Sequence, residues 1–291
     1  LTESLCWPIL KEIVEEKLMA DPEQVNDRMR ELSLKLPVDS DIQIAIRFIE
    51  LSALYYAQVR GLGTLKLNST KEYVEKYTEE FYLVDLYYRR TLEAYHELIT
   101  KENPIEQTLS DAKHQLDLEY AKITNVLNLE WLTCVREKGA WFTETGLKRQ
   151  EDFYKNESDT SVKQVVIVCD ALRYEVAKEL MQELAKEKHI ATIDAYQAML
   201  PTETKYCKPA LLPHHLLELN GTDMMVDGTL LTTTEQRTAH LGKYREGAIC
   251  TRYEDVMNGD AQSMRELFKR SLVYIFLSLI HISEPTRRVV I

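Results

Sequence analysis

The chain has 291 residues, 45% of them hydrophobic, enough for one large or two ordinary domains with cores of their own. A net charge of −11 and a pI near 5.3 remove the general electrostatic reason for tight binding to a nucleic-acid backbone, leaving only a local basic patch to provide one. The five cysteines Cys6, Cys134, Cys169, Cys207 and Cys250 are odd in number and lack CxxC spacing, which argues against a disulfide framework or a thiolate zinc site and fits a reducing cytoplasm.

The chain opens LTESLCWP, with neither an initiating Met nor a signal-like apolar segment, so further sequence is expected in front of it. From Asp41, DIQIAIRFIELSALYYAQVRG repeats Ile44, Ile46, Phe48, Ile49, Leu51, Leu54 and Tyr55 at helical spacing, with Gly61 and Gly63 as stop signals. Ser69 and Glu72 stand at capping-box spacing ahead of a second long helix. Its stripe of Tyr73, Tyr77, Phe81, Val84, Tyr88, Leu92 and Tyr95 reads as core packing in preference to a base-stacking platform. Pro104 breaks the pattern, and residues 107–132 form a further amphipathic helix. Residues 153–163, FYKNESDTSVK, are polar and turn-rich, and a domain boundary is expected there.

Beyond it the period changes. VVIVCD reads as a buried strand, ALRYEVAKELMQELAKEKH as a helix from Ala171, IATIDAY as a second strand, and LVYIF at 272–276 as a later one. Helical segments fall near 234–245 and 261–270, and MMVDGTLL is a hairpin turning at Asp227 and Gly228. The fold class is therefore α plus α/β: a helical region over 1–160, then an α/β layer with a mostly parallel sheet over 161–276. The longest apolar stretch, SLVYIFLSLIHI, is too short to cross a bilayer as a helix, so no membrane partner is expected.

A parallel strand delivers its last residue to the crevice where open α/β sheets bind ligands, and here that residue is Asp170. Its carboxylate can hold a metal, accept a phosphoryl group, or cap the following helix. In the loop AMLPTETKYCKPALLPH, Thr202 and Thr204 come where the second strand hands over to a helix. A hydroxyl there can cap the helix or serve a phosphate site. Adjacent residues on a helix or turn point apart, so His214 and His215 read as supporting or surface residues in preference to a ligand pair, while Arg173 and Tyr174 divide evenly between substrate and helix surface.

VVIVCDALRYEVAKEL followed by LPTETKYCKPALLPH resembles the opening of the PglZ domain, a phage-defence branch of the alkaline phosphatase superfamily. The wording DALRYE is most similar to the type A proteins of BREX type 1 systems. The resemblance covers about residues 163–276 and implies a two-metal, usually zinc, phosphatase or phosphodiesterase. Asp170 would be a metal ligand and Thr204 the nucleophile that also touches metal, with Thr202 in reserve and Lys205 a phosphate contact by position. It also implies a cytoplasmic protein with other phage-defence proteins as partners and a phosphorylated substrate or nucleic-acid phosphodiester.

Two departures stand out. Pro209 is expected to keep the helix after Thr204 short or kinked. The family's next ligand motif, an HNxID-like segment, should follow LVYIF, yet residues 277–287, LSLIHISEPTR, resemble an in-frame translation of a sequencing adaptor. Native sequence is accordingly expected to stop near Phe276, with 277–291 foreign, the remaining Asp and His ligands missing and this chain inactive by itself. The alternative function is a non-catalytic scaffold of the defence complex.

Overall fold

The computed structural model of the protein describes residues 3–37, 40–138 and 145–278. The chain divides into two compact units: Leu1–Thr145 with Tyr174–Gln182, and Gly146–Arg173 with Glu183–Ile291.

The first unit is helical. It comprises α1 (Glu3–Glu12), α2 (Pro22–Ser33), α3 (Asp41–Gly61), α4 (Thr70–Lys76), α5 (Tyr82–Leu98) and α6 (Glu106–Lys138), with π-helical turns at Ile13–Lys17 and Tyr77–Phe81. Helix α3 is the central element: Ile42, Ile46, Phe48, Ile49, Ala53 and Tyr55 are all fully or nearly fully buried, as expected of a helix packed on more than one side. Burying each large side chain of that set contributes about 1.5–3 kcal/mol. The aromatic stripe lies in the same core. Tyr73, Phe81 and Val84 are buried, and Tyr88 stacks face to face on Tyr120 with ring centroids 3.7 Å apart. Ser69 caps α4 by accepting the Glu72 N–H at 3.1 Å, but the Glu72 carboxylate accepts from Asn68 N at 2.8 Å, so the box is only half formed.

The second unit is α/β. From Gly146 onward the chain runs through β1 (Lys148–Arg149), α7 (Phe153–Glu157), β2 (Gln164–Asp170), α8 (Tyr174–Lys186, of which Tyr174–Gln182 belongs to the first unit), β3 (Tyr196–Gln197), α9 (Thr204–Ala210), β4 (Leu217–Asn220), β5 (Asp223–Val226), β6 (Thr229–Leu230), α10 (Thr234–Tyr244), β7 (Ile249–Arg252), α11 (Tyr253–Met257), α12 (Ala261–Leu267) and β8 (Leu272–Ser278). The main sheet is parallel, in the order β2-β8-β7, with Asp170 opposite Ser278 and Phe276 opposite Arg252. Central β8 is covered on both faces, Leu272 through Phe276 all being buried, which is why it reads as an unbroken apolar run. Strands β4, β5 and β6 form an antiparallel meander. Its Asp227-Gly228 turn has positive φ at both residues, +48° and +72°, the backbone of a type I′ hairpin.

The α plus α/β class is as the sequence indicates, and four local expectations change. VVIVCD is an edge strand of the main sheet, and Val165 and Ile167 are 49% and 56% exposed because one face of the strand is not covered. Helix α8 begins at Tyr174, three residues later than expected. Its first nine residues pack within the helical unit: the Tyr174 hydroxyl donates to Thr78 O at 3.3 Å, Glu175 is fully buried with Arg89 Nε 3.7 Å away, and Arg89 and Arg90 both bind Glu179. Of IATIDAY only Tyr196 joins a ladder, together with Gln197, because the backbone partner offered is the two-residue β1. The segment 153–163 starts with a helical turn whose Phe153 and Tyr154 pack on the core of the second unit. Short β7, with Thr and Arg among its four residues, has too little apolar pattern to be read from sequence. The adaptor-like reading of 277–291 falls outside the described residues from 279 onward. No helix among the described residues is long and apolar enough to cross a membrane.

Candidate active site

Parallel pairing brings the carboxyl ends of β2, β8 and β7 to one edge of the sheet, where the crevice of an open α/β fold lies. Asp170 ends β2 there. The next residue, Ala171, has φ +65°, a left-handed conformation that costs an alanine about 1–2 kcal/mol. The chain turns away over Ala171–Arg173, and α8 takes Arg173 as its N-cap. Asp170 therefore does not cap that helix.

Thr204 is the first residue of α9, and its hydroxyl donates to both carboxylate oxygens of Asp170, at 3.3 Å to Oδ1 and 3.2 Å to Oδ2. Thr204 itself is exposed, so its Oγ1 is open to a substrate. One turn further along α9, Lys208 Nζ lies 3.6 Å from Asp170 Oδ2, with the two side chains only 17% and 22% exposed. Residues four apart share one helix face, which is how α9 presents Thr204 and Lys208 to the same carboxylate. Gln150 fixes that presentation from both sides: its Nε2 donates to Cys207 O at 3.3 Å, and its Oε1 accepts from Met199 N at 3.1 Å. The helix has seven residues with Pro209 inside it, short as expected.

The neighbouring thiols are not nucleophiles. Burial raises the Cys169 thiol pKa, and burial together with the Asp170 charge raises that of Cys207, so both stay protonated. All five cysteines are free.

The other candidates lie elsewhere. Thr202 is exposed ahead of α9, which begins two residues later. Lys205 is turned to Glu203, 3.4 Å away, and over the Tyr206 ring, leaving Lys208 as the lysine on Asp170. Tyr174 packs with Tyr77 and Tyr82, and Arg173 supplies the α8 cap position. The histidine pair separates, His214 Nδ1 bonding Leu212 O at 2.8 Å while the His215 backbone donates to Asp227 and its ring faces Tyr244. Lys208 was legible in principle from its position four residues after Thr204; Gln150, fifty-four residues before Thr204, carried no signal.

Asp170 and Thr204 supply two oxygen donors. Among the described residues no group of three or more His, Cys, Asp or Glu side chains converges, whereas a catalytic zinc takes three protein ligands and an open position. The side chains described do not by themselves make up a metal site.

Residues 151–286 match the family described as the BREX system PglZ alkaline phosphatase-like domain. The chain is 27% identical over 246 residues to the alkaline phosphatase-like protein PglZ of Bacillus cereus (strain H3081.97), across 79% of this chain and 28% of the relative. It is 32% identical over 152 residues to the alkaline phosphatase-like protein BrxZ of Escherichia coli O9:H4 (strain HS), across 48% of this chain and 17% of the relative. The first match is too long to be confined to the α/β unit and reaches into the helical one. No solved structure matches. Residues 151–286 are thus similar to an alkaline phosphatase-like domain. Within that class the match is to the PglZ domain of BREX systems, and the chain spans less than a third of either relative.

Proposed function

We propose that Asp170 and Thr204 are the first two members of a phosphoryl-transfer site, acting in a BREX-associated metal-dependent phosphatase or phosphodiesterase. The observation that supports this reading is the hydrogen bond from the exposed Thr204 hydroxyl to the carboxylate ending β2. A threonine is a weak nucleophile unless a neighbouring group takes up its proton. In this reading Asp170 takes up that proton as Thr204 Oγ1 attacks phosphorus in line, the ester P–O bond breaks, the leaving oxygen departs as an alcohol carrying the proton returned by Asp170, and a phosphothreonine forms. Hydrolysis of that ester by water would return the free hydroxyl. The ammonium of Lys208 offsets negative charge gathering beside Asp170. A pair of divalent cations, zinc by family resemblance, would supply Lewis-acid chemistry at the same carboxylate, and no step is assigned to them because two donors are too few. On the same ground the chain alone is inactive. Its partners are other proteins of the BREX defence system, and it acts in the cytoplasm.

The test uses this chain and a protein extended to the length of the relatives. The extended protein should hydrolyse a p-nitrophenyl phosphodiester or monoester with added zinc, falling at least 100-fold in Thr204→Ala and in Asp170→Ala. Unchanged turnover in Thr204→Ala would refute the nucleophile assignment, and zinc-dependent turnover by the short chain, lost in Thr204→Ala, would refute its inactivity.

A scaffold without catalysis is the second reading. The Lys208–Asp170 ion pair favours it, since an ammonium already satisfies the carboxylate that a metal would need. It predicts zinc binding by the extended protein that is the same with and without Asp170→Ala.

A further inference from the structure

Beside the Asp170–Thr204 pair, at the carboxyl ends of β7 and β8, lies an open cleft of about 800 Å³. Its lining includes Lys208, Phe276, Arg237 and the N-terminal turn of α10. Clefts of this volume take ligands of nucleotide size.

Arg237 sets this cleft apart. Its guanidinium lies over the Phe276 ring, with Cζ 4.8 Å from the centroid, and Nε donates to Leu231 O at 3.2 Å. These contacts hold the planar group in one orientation. Among the described residues neither Nη atom has a hydrogen-bond or ion-pair partner, and neither is sealed from solvent. The other cations of the cleft, Lys208 and Arg252, have carboxylate partners, while Glu254 stands exposed in its lining. Arg252 binds Asp255 through two hydrogen bonds of 2.9 and 3.1 Å, and the Glu235 carboxylate is held by its own backbone N–H and the Thr233 hydroxyl at the start of α10. Burial lowers the Arg237 pKa, as it does for a cation lacking a counter-charge. Arginine in this state is suited to two-pronged recognition of phosphate oxygens, and stacking on Phe276 reduces the ordering needed on binding.

Lys208 joins the two regions, its Nζ lying 3.6 Å from Asp170 Oδ2 and 5.8 Å from the Phe276 ring centre. We propose that Arg237, carried on Phe276, binds a second phosphate of the substrate, adjacent to the one transferred at Thr204. The preferred substrate class is thereby a compound with at least two neighbouring phosphates, either a nucleoside diphosphate or an oligonucleotide with a terminal phosphate. The proposal rests on the phosphoryl-transfer reading for its direction, but its test reads binding alone.

Titration calorimetry of this chain at low salt should give pyrophosphate at least a tenfold tighter affinity than inorganic phosphate. Arg237→Gln should lower the pyrophosphate affinity about tenfold and leave phosphate within twofold. ADP and the dinucleotide pApA separate the two sources: whichever of them follows pyrophosphate in losing affinity identifies the class. If Arg237→Gln fails to give the native circular-dichroism spectrum, Arg237→Lys, which keeps the charge and loses the fork, should still show at least a threefold loss. Affinities for pyrophosphate, ADP and pApA all within twofold of wild type in a folded Arg237 variant would overturn the proposal. Failure of the catalytic reading alone has a different signature: Arg237-dependent pyrophosphate binding, unaltered by Thr204→Ala, in a protein whose extended form hydrolyses nothing.

Discussion

Arg245 is a nearly buried guanidinium that ties together the starts of the two strands whose far ends build the candidate site. Nη1 donates to Asp159 O and to Gln164 Oε1, both at 2.9 Å, while Nη2 donates to Val162 O and to Ser271 O at 2.7 Å. Gln164 opens β2 and Ser271 immediately precedes β8, so one side chain pins the parallel pair at its amino end. In Arg245→Met the aliphatic stem is retained and every one of these donors is lost. A hydrogen bond to a charged group is worth about 1.5–3 kcal/mol, and a buried acceptor left without a donor costs about 1–3 kcal/mol. Those contributions overlap, because methionine carries no charge to desolvate, and the net loss should be about 3–4 kcal/mol. Hydrogen exchange with mass-spectrometric readout follows β2 and β8 directly and does not require two-state unfolding of a chain with two units. At 1.4 kcal/mol per decade, exchange in these strands should accelerate about 10²- to 10³-fold, with Arg245→Lys intermediate. Acceleration below about fivefold would show that the strand pair holds its register without the Arg245 clamp.

Two further outcomes follow from the same unit. Burial pushes the Asp227 carboxyl pKa up, but hydrogen bonds from the Tyr244 hydroxyl and the Leu216 and His215 backbone N–H groups outweigh it and hold the value at about 2. The folded value lies below the unfolded one near 3.9, so the stabilisation is complete above about pH 5 and is lost as pH falls towards 2. The stability gap between wild type and Asp227→Asn in thermal melts should therefore be constant above that range and close below it; a gap unchanged down to pH 2 would contradict the assignment. For the site lysines, Lys208→Met should weaken inorganic phosphate binding at least fivefold in calorimetry and Lys205→Met should leave it within twofold, and the reverse order would return the phosphate contact to Lys205.

Much of the architecture is local and was readable. The helical spacing of Ile44 to Tyr55, the Ser69 cap, the two-residue Asp227-Gly228 turn and the apolar run of β8 each depend on neighbours within a few residues, so backbone preference and side-chain period specify them without knowledge of the rest of the chain. The carboxylate after VVIVC and the threonines after LP were visible for the same reason, as residues at the ends of elements. Which of them meet was not. Thr204 and Asp170 lie thirty-four residues apart, and only the turn at Ala171, the start of α9 and the Gln150 bridge choose Thr204 and Lys208 over Thr202 and Lys205. The interior apolar run of β8 and the outwardly similar VVIVC of β2 differ in burial because one is central and the other an edge strand, a property of the sheet and of neither sequence. Helix α8 reads as an ordinary crossover helix, yet its buried Glu175 and its Tyr174 belong to the helical core, because the Arg89 and tyrosine partners that decide the matter come from α5 and the turn before it. Sequence alone thus determined the elements and the kinds of side chain at their ends; tertiary packing decided which ends converge, since hydrogen bonds and ion pairs act over a few ångströms whatever the distance along the chain.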